Sequence, residues 1–83
     1  MARIKVDLHE VFNKNKGIEQ YLVEAFEEAA DTRIKEIEII PGKGSGQLKR
    51  KVERFLLRPE IKAQIHYVKT DFKNHGRMFV YLK

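Results

Sequence analysis

Apolar and polar residues alternate along Ile4-Lys5-Val6-Asp7-Leu8-His9, the two-residue period of a strand with one face in a core and the other turned outward. Asp7 and His9 then share the outward face. From Glu10 to Gly17 the period is lost, so a loop is expected, with a helix starting near Asn15 or Gly17. Ile18, Tyr21, Leu22, Ala25, Phe26, Ala29 and Ala30 follow at helical spacing and predict a long amphipathic helix. Glu19, Glu24, Glu27, Glu28 and Asp31 fill its other positions as a solvated face.

Ile34, Ile37, Ile39 and Ile40 form a β-branched run suited to a buried strand. Strand, helix and strand in close succession predict a βαβ unit with two parallel strands, joined by a right-handed crossover. This arrangement puts Asp7 and His9 on the sheet edge where the loop after the second strand begins. Leu48, Val52, Phe55 and Leu56 then predict a second helix, from Ser45 or Gln47 to Leu57, that must stop before Pro59. Glu60 to Gln64 reads either as a turn or as a short extra helix. Residues 65–69 and 77–82 are strand-like and fit a hairpin with a long loop from Thr70 to Gly76. The expected order is β-α-β-α-β-β, an α/β (α+β sandwich) domain with two helices packed on a four-stranded mixed sheet. Strand order is left open.

With 83 residues the chain is expected to be a single domain spanning 1–83, with a thin core. The absence of cysteine excludes a disulfide framework and a thiolate metal site, leaving packing to hold the fold. No apolar run is long enough to span a bilayer, and the N-terminus lacks the pattern of a signal peptide, so a cytoplasmic location is expected. The chain opens at Met1, as a stand-alone protein would.

Charge changes the picture more than composition does. The net charge of +5 is unevenly spread: residues 41–62 carry seven basic and two acidic side chains, residues 17–40 two and seven. A field polarised in this way favours approach of a polyanion from one side.

The strongest candidate for chemistry lies between these two segments, at Pro41-Gly42-Lys43-Gly44-Ser45-Gly46-Gln47-Leu48-Lys49. Three alternating glycines let backbone N–H groups line one concavity. The helix that follows offers four unpartnered N–H groups and the positive end of its dipole. Lys43 and Lys49 add full charges. The spacing is neither that of a P-loop, which needs Lys followed by Ser or Thr, nor a Rossmann fingerprint, whose third glycine would come one position later.

Asp7 and His9 form a candidate acid-base pair beside this loop, the carboxylate orienting the imidazole or holding a metal. His66 and His75 have no acidic neighbours at ligand spacing and read as surface or loop residues.

Val6-Asp7-Leu8-His9, paired with Gly42-Lys43-Gly44-Ser45-Gly46-Gln47-Leu48-Lys49, resembles the small MutS-related (Smr) domain family over almost the whole chain. The resemblance implies a fold similar to the C-terminal domain of bacterial translation initiation factor three. It implies a protein that binds nucleic acid and that nicks DNA or cleaves RNA, including messenger RNA on stalled or collided ribosomes. Carried over by position, Asp7 and His9 match the pair implicated in cleavage, and Gly42, Lys43, Gly44 and Gly46 match the loop that contacts nucleic acid. Two positions depart from the family pattern. Pro41 stands where a histidine is usual, which removes an imidazole from the implied catalytic group and leaves the loop in place. Glu10 stands where glycine is usual, either as an added carboxylate for a metal or as a charge that repels phosphate.

The leading expectation is a nucleic-acid-binding domain, with RNA favoured over DNA. Its contacts would come from Gly42, Lys43, Gly44, Ser45, Gly46, Lys49, Arg50 and Arg54. If it is an endonuclease, Asp7 and His9 are its catalytic pair, and the metal candidates for a divalent ion such as Mg2+ or Mn2+ are Asp7, His9 and Glu10. The alternatives are a non-catalytic binding module and a protein-interaction domain for an acidic partner.

Overall fold

The computed structural model describes residues 2–8, 17–41, 47–71 and 77–83. The elements are β1 (Ile4–Asp7), α1 (Ile18–Thr32), β2 (Glu36–Ile40), α2 (Gln47–Leu56), α3 (Pro59–Lys62), β3 (Ile65–Asp71) and β4 (Arg77–Leu82). They build a four-stranded sheet in the order β1-β2-β4-β3. β1 and β2 are parallel, while β4 runs antiparallel to both β2 and β3, so the sheet is mixed as expected.

The register explains the two faces of this sheet. Ile4 pairs with Ile37 and Val6 with Ile39, and these in turn lie opposite Val80 and Met78. All six are buried, and they form one cluster with Leu22, Ala25, Phe26 and Ala29 of α1, Val52, Phe55 and Leu56 of α2, and Ile61 of α3. The three helices therefore cover the same face. Phe26 and Phe55 join the two long helices, with ring centroids 5.7 Å apart and tilted by 56°. The opposite face carries the alternate residues: Lys5 and Asp7, Glu36, Glu38 and Ile40, Arg77, Phe79 and Tyr81, and Tyr67, Lys69 and Asp71.

Several boundaries differ from the sequence reading. α1 starts at Ile18 with Gly17 as an extended N-cap, and it ends where Arg33 turns into the left-handed region at φ 60°. The Arg33 and Ile34 amides both donate to the Ala29 carbonyl, closing the last turn. Ile34 is thereby spent on the helix exit, and β2 begins only at Glu36.

The segment left open as a turn or helix is a short helix, so the described residues hold three helices rather than two. Arg58 is extended and Pro59 follows at the first helical position, where its fixed φ suits a helix start and its missing N–H costs nothing. β3 runs two residues further than expected, to Asp71. The hairpin loop beyond it, 72–76, lies outside the described residues.

Candidate nucleic-acid interface

Asp7 is the last residue of β1 and sits level with Ile40, the last residue of β2. The Leu8 amide continues the ladder by donating to the Ile40 carbonyl at 2.9 Å. Leu8 is fully buried, which anchors the strand end against the core. Asp7 is half-buried on the helix-free face. His9 and Glu10, the other members of the expected catalytic and metal-binding group, lie outside the described residues. So do Gly42, Lys43, Gly44, Ser45 and Gly46.

The residues on either side of that segment are described. Pro41 is buried directly after β2, and α2 begins at Gln47. Parallel pairing of β1 with β2 thus brings Asp7 to the strand level from which the glycine segment departs, as the βαβ reading required.

α2 shows why its charges can serve a ligand. Val52, Phe55 and Leu56 point into the core, while Arg50, Lys51 and Arg54 are exposed and Lys49 is half-buried. Arg50 and Arg54 are one turn apart and so share a ridge, with Lys51 beside it. Arg58 is otherwise engaged: its guanidinium lies 5.2 Å from the Phe55 ring centroid and 2.7 Å from Glu19 of α1.

The acidic segment falls on α1, whose Glu19, Glu24, Glu27, Glu28 and Asp31 are all exposed and which contains no basic residue. An open cleft of about 460 Å³ between α1 and β1 is bordered by Lys5, Asp7, Tyr21, Glu24 and Glu28. Its carboxylates make it a poor phosphate site.

Among the described residues no group of three or more His, Asp or Glu side chains stands ready for a metal ion. Asp7 is the single described member of the expected metal set.

The sequence reading missed an ion-pair network on the helix-free face. Glu38 is buried there, with Arg3 at 3.3 Å on one carboxylate oxygen and Arg77 at 3.1 Å on the other. Arg3 also pairs with Glu36 and lies over the Phe79 ring, 5.3 Å from its centroid. Desolvation against the sheet works against the Arg3 charge, but the Glu36 and Glu38 carboxylates outweigh it and hold the guanidinium above its ordinary range. Arginine is charged at any working pH, so this shift carries no pH dependence.

Also missed was an aromatic pair on the same face. Tyr67 and Tyr81 stack with centroids 4.6 Å apart and planes at 20°, and His66 meets Tyr67 edge-on at 5.2 Å. The available signal was the two-residue alternation of Arg77, Phe79 and Tyr81 against Met78, Val80 and Leu82.

A mixed four-stranded sheet with its helices on one face defines an α+β sandwich. Within that class, this chain belongs to the Smr domain family, whose model matches residues 6–83. The family is one of nucleic-acid-binding, nuclease-like domains in general. The fold is similar to that in the crystal structure of the Smr domain of Thermus thermophilus MutS2. The TM-score is 0.68 at 18% identity, and the match covers 100% of this chain and 99% of that one. No curated protein matches the chain. No helix among the described residues is long and apolar enough to cross a membrane.

Proposed function

We propose that this chain binds nucleic acid along the sheet edge where β1 and β2 end, with the glycine loop and the basic ridge of α2 holding the phosphate backbone. The observation that carries this reading is the pairing of Asp7 with Ile40, followed at once by the loop and by a helix whose exposed side chains include Arg50, Lys51 and Arg54 against the single acidic Glu53. Lys43, Lys49, Arg50 and Arg54 supply charge, and the N–H groups of Gly42, Gly44, Ser45 and Gly46 supply donors for phosphate oxygens. RNA is the favoured substrate over DNA, and a ribosome-bound RNA is within the scope of this reading.

Where the chain cuts as well as binds, His9 acts as general acid or base on the reacting phosphodiester, and Asp7 orients its imidazole. Loop N–H groups then stabilise the charge that develops on phosphorus-bound oxygen. Glu10 and Asp7 are the side chains that would share a divalent ion with His9.

A second reading, a binding module without catalysis, is favoured by one observation. Position 41 is a buried proline, whose side chain offers neither a proton nor a ligand atom beside the loop.

The test is incubation of labelled single- and double-stranded RNA and DNA with the wild type and with His9→Ala, each with and without chelator. Cleavage by the wild type that is lost in His9→Ala supports the catalytic role, and loss on chelation assigns a metal to it. Cleavage that survives His9→Ala overturns it. Binding without any cleavage supports the module. Binding undiminished in a Lys43→Ala, Gly44→Val double variant removes the loop from the reading.

A further inference from the structure

Resting on the reading that this chain binds nucleic acid, we propose that the helix-free face of the sheet is a stacking platform for single strands, which cross from the loop edge onto Tyr67 and Tyr81. All three helices close the core from the other side, so among the described residues this face is covered only by its own side chains. The register puts Tyr67 opposite Tyr81 and Lys69 opposite Phe79 on it.

Tyr67 contributes nothing to the helix-side core and is 51% exposed. A large aromatic ring, braced flat against a second ring and open to solvent, is the arrangement on which an unpaired base stacks. The Arg3 guanidinium above Phe79 gives a second flat surface, already held in place by two carboxylates.

Charge on this face is balanced: the carboxylates Asp7, Glu36, Glu38 and Asp71 are matched in number by Arg3, Lys5, Lys69 and Arg77, and Arg3 and Arg77 pair with Glu36 and Glu38. Exposed Lys5 and Lys69 remain on either side of that network, at the outer strands.

The stacked pair lies toward the other end of β2 from the loop edge, with Tyr81 on the neighbouring strand and Tyr67 on the one beyond it. Ile40, beside Asp7, and Glu36, opposite Tyr81, lie four residues apart on one strand, a span of about 13 Å. That is the reach of a short run of nucleotides, not of one base. A duplex keeps its bases stacked on one another and has no free ring face to offer, so the platform selects single strands.

The experiment measures anisotropy of a labelled oligouridine strand and of a labelled hairpin duplex with the wild type, Tyr67→Ala, Tyr67→Phe and Arg50→Ala. Tyr67→Ala is expected to weaken single-strand binding about tenfold, in the range of one lost stacking contact, and to leave the duplex unaffected. Tyr67→Phe keeps the ring and retains wild-type affinity. The chain has no tryptophan, so its intrinsic emission comes from tyrosine and should be quenched by the single strand.

Since Tyr67→Ala removes a cross-strand contact, photocrosslinking of a thiouridine-substituted strand to the wild type serves as a measurement free of any variant. Adducts within 65–71 or 77–82 support the platform. If Arg50→Ala weakens binding while folded Tyr67→Ala does not, and adducts avoid both strands, the platform is overturned. The Tyr67 and Val68 edge would then be left to a protein partner. If the wild type binds no nucleic acid, the parent reading fails and the platform with it.

Discussion

Glu38 is the buried charged side chain among the described residues, and its burial costs several kcal/mol unless opposite charge and hydrogen bonds replace water. Arg3 and Arg77 do this, one on each oxygen. The alternation of the strands places Glu38 on the polar face, but pairing across three segments could not be read from it. Arg3 comes from the residues before β1, and Arg77 lies 39 positions along the chain from Glu38. Removing both partners at once, Arg3→Ala with Arg77→Ala, leaves a buried carboxylate unpaired and should lower the urea midpoint of unfolding more than either single substitution does. Glu38→Gln in the same background should recover a large part of that loss. At the site itself Asp7 was legible because its strand is short and regular, and the structure puts it on the expected edge.

Among elements, α1 and α2 were the most legible, because apolar residues at helical spacing commit a segment to one face against a core. The same spacing identifies Phe55, which is 1% exposed and joins both long helices through Phe26. Truncating it to alanine should cost about 3–5 kcal/mol, a large share of the stability of so small a chain, and should show as a lower midpoint in thermal unfolding. Element ends were harder to read. A non-glycine residue, Arg33, takes the left-handed position that ends α1, and no residue type announces that. The short α3 depends on Pro59 and on the burial of Ile61, which a four-residue segment cannot signal by periodicity. Strand order was beyond the sequence for a different reason: insertion of β4 between β2 and β3 is decided by distant pairing, on which local pattern is silent.

Across the whole molecule, the segmental charge imbalance becomes two neighbouring helices of opposite sign on the same side of the sheet. α1 is acidic at every charged position, and α2 carries four basic residues and one acidic. A polyanion is attracted to the α2 end and turned away from the α1 end, which orients it before any contact forms. The proposed contact of the α2 ridge and the loop with a phosphate backbone is tested most directly by measuring the affinity for single-stranded RNA against salt concentration, for the wild type and for an Arg50→Ala, Arg54→Ala variant. The wild type should give a straight line in log-log form, and the variant a line shallower by roughly 0.7 for each phosphate contact removed. An unchanged slope in the folded variant, or binding by the wild type that does not respond to salt, would contradict the account.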